Sequence, residues 1–272
     1  MIPVRAIPVR ASVLMALLTA LLAAFAIAIV PLRAGEIPPG DRRSGYSFMA
    51  PDTKAIQDDD TANPGMLWVL DGEALWKKKQ GAADKACADC HDDARSSMKG
   101  VAARYPAFDQ ELRQPVDLEA RINLERARHQ GTEPLAFESR DLLALTAFIA
   151  EQSRGVAISA GDDPELGPFV AKGHDLFMQR QGQLNLACAN CHDDNWNRHL
   201  AGSAITQAHP TGYPMYRLEW QSLGSLQRRL RSCIFGVRAQ PYEFGAPELV
   251  ELELYLMSRA KGMSIETPAV RP

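Results

Sequence analysis

Beyond Val30 the chain lacks any apolar run long enough to cross a bilayer, and it lacks the surplus of Lys and Arg that nucleic-acid binding requires. Acidic side chains outnumber basic ones, 33 to 30, for a formal charge of −3. These absences argue against a membrane-embedded body and against a nucleic-acid partner. Cysteine is also scarce. The count is five, and an odd number cannot all pair within one chain.

The one long apolar run lies at the start. Arg5 and Arg10 precede Val13–Val30, and small residues follow near Ala34. A basic n-region, an apolar h-region and a cleavage position before Gly35 make residues 1–34 a secretory signal peptide, with an uncleaved membrane anchor as the competing reading. Those 34 residues hold three arginines and no acids, so their removal takes the charge from −3 to −6. No membrane span is expected in what remains. Residues 35–65, rich in Pro, Gly and Asp, read as an irregular N-terminal arm.

Four of the five cysteines fall in two pentads. Cys87-Ala88-Asp89-Cys90-His91 recurs as Cys188-Ala189-Asn190-Cys191-His192, each followed by Asp-Asp. C-x-x-C-H attaches a c-type haem. Both sulfurs reach one macrocycle as thioethers, and the adjoining histidine turns onto the iron. A single pentad would also suit a zinc half-site or a redox dithiol. Two copies, both with the terminal histidine, point to two covalently bound haem c groups, with His91 and His192 as iron ligands. Such haem is attached outside the cytoplasm in bacteria, so the pentads and the signal both imply the periplasm.

The pentads sit in an internal repeat. Gly72, Trp76, Gly81, Ala86 and Cys87 match Gly173, Phe177, Gly182, Ala187 and Cys188 at an offset of 101. Tyr105-Pro106 matches Tyr213-Pro214 at 108, and Asp141 with Gly155 matches Glu248 with Gly262 at 107. Each repeat opens with a short helix. Each closes with an amphipathic one, over 141–154 and 247–261, where Leu142, Leu145, Phe148 and Ile149, then Leu249, Leu252, Tyr255 and Leu256, recur at helical spacing. Gly155 and Gly262 are placed as helix C-terminal glycines. The expected fold is mainly α, two tandem cytochrome c-like domains over 66–155 and 169–265, each with a covalently attached haem. A linker spans 156–168 and a C-terminal tail 266–272.

Cys233 remains alone. An inert buried thiol and an intermolecular disulfide are the plain readings. Arg228, Arg229, Arg231 and Arg238 surround it in sequence, and positive charge stabilises a thiolate. The sharper reading makes Cys233 the distal ligand of the second haem or a reactive thiolate beside it. The arginines would hold an anionic substrate or haem propionates.

The segment Arg229-Leu230-Arg231-Ser232-Cys233, with Val237-Arg238-Ala239-Gln240 and the Glu248–Leu256 stretch, resembles the SoxA family. So do Met98-Lys99-Gly100-Val101-Ala102-Ala103-Arg104-Tyr105-Pro106 and Arg121-Ile122-Asn123 in the first repeat. The resemblance runs from about residue 65 to 265. It implies an L-cysteine S-thiosulfotransferase that conjugates thiosulfate to a cysteine of the carrier SoxYZ, works with a small SoxX-like haem subunit, and passes two electrons to a c-type acceptor. It also implies that Cys233 ligates the second haem and carries a persulfide, and that Arg229 contacts substrate. Arg231 is a second candidate for that contact.

One tract departs from the family, which usually reads Arg-Ile-Asn-x-Cys-Arg. Here Arg121-Ile122-Asn123-Leu124-Glu125-Arg126 has glutamate where the sulfur ligand belongs, and an offset of 108 carries Glu125 onto Cys233. His129, a helical turn further on, is the expected replacement ligand for the first haem, with Glu125, Met98 or an open site as alternatives. His199, His209 and Met215 are lesser competitors for the second haem, and His174 reads as structural. Two other functions compete: a dihaem electron carrier with no sulfur substrate, and a thiosulfate dehydrogenase forming tetrathionate.

Overall fold

The computed structural model describes residues 37–272, so the expected signal segment lies outside the described residues. The helices, in chain order, are α1 (Pro51–Asp58), α2 (Met66–Lys77), α3 (Ala88–His91), α4 (Ala94–Ser97), α5 (Leu118–Glu125), α6 (Arg140–Glu151), α7 (Gly167–Met178), α8 (Cys188–His192), α9 (Leu226–Gly236) and α10 (Pro247–Arg259). Among the described residues no helix is long and apolar enough to cross a membrane.

The repeat is structural. In each copy the opening helix crosses the closing one, α2 on α6 and α7 on α10. Glycine makes both crossings possible. A Cβ on Gly72 would stand 2.1 Å from the Ala144 carbonyl oxygen, and one on Gly173 would stand 2.0 Å from that of Glu251. One turn later Trp76 and Phe177, 3% and 1% exposed, fill the space beneath the crossing. Gly81 and Gly182, at φ +71° and +69°, bring the loop before each pentad against the carbonyls of Gln130 and Val237.

Between pentad and closing helix each copy folds a three-residue hairpin and a capped helix. β1 (Ala107–Asp109) pairs with β2 (Gln114–Val116), and, after a short added hairpin of β3 (His199–Leu200) and β4 (Ser203–Ala204), β5 (Met215–Arg217) pairs with β6 (Ser222–Gly224) in the same register as the first pair. Asp117 caps α5 by accepting from Ala120 N at 2.6 Å, and Ser225 caps α9 by accepting from Arg228 N at 3.0 Å. The 108-residue offset therefore holds through both caps. It falls to 107 by the closing helices, and a π turn at Arg126–Gln130 of the first copy accommodates the extra residue.

Equivalent residues meet where the copies touch. Trp68 packs on Tyr216 at 5.8 Å and Phe169 on Phe108 at 6.4 Å, while Phe137 stacks on its own counterpart Phe244 at 6.2 Å and 11°. The contacts have the form of a pseudo-two-fold axis through the last pair.

Three segments depart from expectation. The arm at 35–65 contains α1, started by Pro51 at its first turn with Asp52 beside it. The tail at 266–272 forms strand β7 (Ala269–Arg271), parallel to β5, with Ala269 and Val270 fully buried. Gly155 and Gly262 do have positive φ, 79° and 84°, but lie beyond the caps at Gln152 and Ala260, in the turns that follow.

Candidate active site

The second pentad folds as α8, with the Ala187 backbone N donating to Asn190 Oδ1 at 3.0 Å. The first pentad repeats that lock, Ala86 N donating to Asp89 Oδ2 at 2.9 Å. His192 Nδ1 bonds the Thr206 carbonyl oxygen at 2.7 Å. That bond makes Nδ1 the protonated nitrogen and leaves the Nε2 lone pair free for a metal.

Helix α9 brings Cys233 to His192. Burial pushes the Cys233 thiol up, but the nearness of His192 and the charges of Arg229 and Arg217 outweigh it, and the thiol lies below its ordinary value. The attachment thiol Cys188 moves the other way, pushed up to about 12 by burial and by Cys233. Tyr213 is likewise pushed up to about 12 by burial, against the opposing charges of Arg229 and Arg217.

Arg229 precedes Cys233 by four residues and shares its helix face. Among the described residues its guanidinium has no carboxylate partner within ion-pair distance. Arg231, two residues from Cys233, turns to the other side. It lies over Phe244 at 4.4 Å, with Glu243 at 4.0 Å, in an open groove shared with Arg228, Ser232, Phe235 and Pro241. The structure thus unites Cys233, His192 and Arg229, and leaves Arg231 outside.

Sequence reasoning missed Arg217. It comes from β5, is 9% exposed, and holds Glu219 through Nη2 at 2.8 Å while lying 5.1 Å from the Trp220 ring. The signal was available: 108 residues earlier stands Asp109, at the same hairpin register.

In the first repeat, His91 is exposed beside Trp76 at 5.7 Å. Glu125 lies 3.5 Å from Arg121 and 3.3 Å from His129 Nε2, and Arg121 pairs with Asp109 at 2.8 Å. Met98 is packed in the core near Trp76 and Cys87. Of the lesser candidates, His209 is driven down to about 4 by burial and bonds the Arg43 carbonyl at 2.9 Å, while Met215 is buried and His199 exposed.

Comparison with known proteins places this geometry. Residues 71–158 and 172–265 match the SoxA/TsdA cytochrome c domain. The L-cysteine S-thiosulfotransferase subunit SoxA of Pseudaminobacter salicylatoxidans is 40% identical over 229 residues, 84% of this chain and 80% of that protein. The chain belongs to the SoxA family. The corresponding subunit of Rhodovulum sulfidophilum is 36% identical over the same shares. The crystal structure of SoxXA from P. pantotrophus superposes with a TM-score of 0.82 at 31% identity, covering 85% of this chain and 87% of that one.

A SoxA-family cytochrome c domain carries covalently bound haem c, and the second pentad fits it. Cys188 and Cys191 stand one turn apart, His192 presents Nε2, and Cys233 offers sulfur from the opposing helix. The first pentad offers the same attachment set, Cys87, Cys90 and His91, with Glu125 at the position equivalent to Cys233.

Proposed function

We propose that this SoxA-family chain conjugates thiosulfate oxidatively to a cysteine of a SoxYZ-type carrier protein, with Cys233 as the nucleophile. The observation that carries the reading is the meeting of Cys233, the one cysteine outside the pentads, with His192, Arg229 and Arg217. Two haem c groups, held by Cys87, Cys90 and His91 and by Cys188, Cys191 and His192, would supply one-electron oxidising capacity.

In this reading Arg229 orients the thiosulfate dianion against the Cys233 thiolate. A sulfur–sulfur bond forms between Cys233 and the terminal sulfur as two electrons leave toward a c-type acceptor. The carrier thiolate then attacks that terminal sulfur, takes the thiosulfate group and releases the Cys233 thiolate. The SoxXA likeness and the family membership support a SoxX-type small haem subunit as the stable partner. The N-terminal segment and the haem chemistry support export to the periplasm.

For the first haem, His129 and Glu125 stand as the candidate distal ligands, since both lie on the turn equivalent to the Cys233 segment. Peptide mass spectrometry of haem-loaded protein tests the central claim. Thiosulfate should add a reductant-labile mass to the Cys233 peptide, and Cys233→Ser should lose both the adduct and carrier conjugation. An unmodified Cys233 during turnover would refute the covalent route.

A further inference from the structure

The two repeats place four side chains alike and charge them differently. Tyr105, Asp109, Arg121 and Glu125 in the first correspond to Tyr213, Arg217, Arg229 and Cys233 in the second, each 108 residues on. In the first repeat the terminal nitrogens of the central arginine, Arg121, are paired from within, with Asp109 at 2.8 Å and Glu125 at 3.5 Å, although its Nε is buried without a partner. In the second both carboxylates are gone. Cys233 stands in place of one and Arg217 in place of the other, so two guanidinium groups face one thiol.

Like charges held together in a half-buried site repel unless an anion joins them. Glu219 on Nη2 is Arg217's one carboxylate among the described residues, and Glu219 is itself 51% exposed. Arg217 Nε is buried and has no hydrogen-bond partner. A donor so placed calls for an acceptor. A role confined to the Glu219 ion pair explains Nη2 but leaves Nε and the neighbouring Arg229 unexplained.

We propose that Arg217 and Arg229 form a two-arginine clamp for the doubly charged sulfur oxyanion at Cys233, and that Asp109 closes the matching position of the first repeat to anions. The clamp rests on the functional reading above and adds a specificity determinant to it. Two guanidinium groups match a dianion in charge, and their planar forks match the oxygens of an –SO3 group. Asp109 puts a carboxylate where the second arginine would stand, so substrate binding is confined to one of the two repeats.

The test uses haem-loaded full-length protein. Thiosulfate affinity is read by calorimetry, with KM and kcat for carrier conjugation, haem content and reduction potentials measured alongside. Arg217→Gln should weaken thiosulfate binding and raise KM by about 10- to 100-fold with kcat changed by less than about threefold, as expected for loss of one charge-assisted contact. Arg217→Lys should recover part of the affinity, and Arg217→Asp, which copies the first repeat, should be weaker than Arg217→Gln. Glu219→Gln separates the clamp from the ion pair, and should leave affinity unchanged or improved.

Wild-type affinity in Arg217→Gln overturns the clamp, as does an equal loss in Glu219→Gln. Loss of haem from Arg217→Gln with unchanged affinity per haem would assign Arg217 to the propionates instead. A wild-type protein that binds no thiosulfate overturns the functional reading itself, a result distinct from failure of the clamp alone.

Discussion

Gly173→Ala adds one methyl group and should destabilise the chain more than its size suggests. The new Cβ would stand 2.0 Å from the Glu251 carbonyl oxygen and 2.7 Å from Tyr255 Cβ. Ordinary carbon–oxygen contact needs more than about 3 Å, so α7 and α10 must part by about 1 Å where they cross. The obstructing atom is backbone, and no side-chain rotamer relieves it. Overpacking costs about 1–3 kcal/mol, and a backbone obstruction belongs at the upper end. At about 2–4 °C per kcal/mol for a chain of this size, the expected loss is about 6–12 °C in Tm. Helix propensity alone gives the opposite sign, since Ala is favoured over Gly by about 1 kcal/mol in a helix. Thermal unfolding of haem-loaded protein followed by far-UV circular dichroism reads the difference. Gly72→Ala should lose a similar amount, because its Cβ meets the Ala144 carbonyl at 2.1 Å. Gly236→Ala, with nothing within 4 Å, should hold or gain stability. A Gly173→Ala melting point at or above wild type would refute the crossing argument.

Other outcomes follow from buried charge and from the haem site proposed in the first repeat. Burial raises Asp117 to about 6 and pushes Glu119 and Glu253 well above their ordinary range, so the folded chain binds more protons than the unfolded one above about pH 4. Stability should fall as pH rises through the window from about 4 to 6, by about 3 kcal/mol for Asp117. Glu119→Gln should flatten the dependence, and denaturant midpoints with equal pH slopes in both proteins would contradict this. Arg259 is 3% exposed, rests over the Phe177 ring at 5.0 Å and pairs with Asp193. Arg259→Leu strands that carboxylate and should cost about 3–5 kcal/mol, with Asp193→Asn in the same chain recovering part of it. Failure of the double variant to recover would show that stacking on Phe177, not the ion pair, carries the effect. Glu125→Cys should shift the spectrum and reduction potential of the first haem while leaving the second unchanged, and an unaltered redox titration would remove Glu125 from the ligand position.

Much of this was legible in the sequence because covalent chemistry and helix periodicity leave local marks. The pentads mark their own candidate ligands. Closing helices expected at 141–154 and 247–261 stand at Arg140–Glu151 and Pro247–Arg259, ending early because a glycine of positive φ terminates the following turn and not the helix. Arg229 was legible as a neighbour of Cys233 because four residues on a helix return to the same face. Arg231 was read by proximity in sequence, and a two-residue step carries it to the opposite side. Arg217 gave no periodic signal, because it lies on a three-residue strand sixteen residues before Cys233, and only the 108-residue offset from Asp109 pointed to it. The helix in the arm and the terminal strand were obscured by long-range contacts. Gln57 of α1 accepts from the Val270 backbone at 3.0 Å, a pairing across 213 residues.

The stack of Phe137 on Phe244 has a consequence for the origin of the molecule. A residue that meets its own counterpart across an axis is the mark of an isologous interface, in which one surface patch is complementary to itself. Trp68 with Tyr216 and Phe108 with Phe169 complete that patch reciprocally. One repeat therefore carries both sides of the joint, as a polypeptide of half this length would when forming a C2 homodimer. Two such halves joined in one chain are not bound to identical sequence. One copy could then exchange arginine for aspartate and cysteine for glutamate while the other kept its sulfur, a division of labour that no symmetric pair of identical subunits can encode.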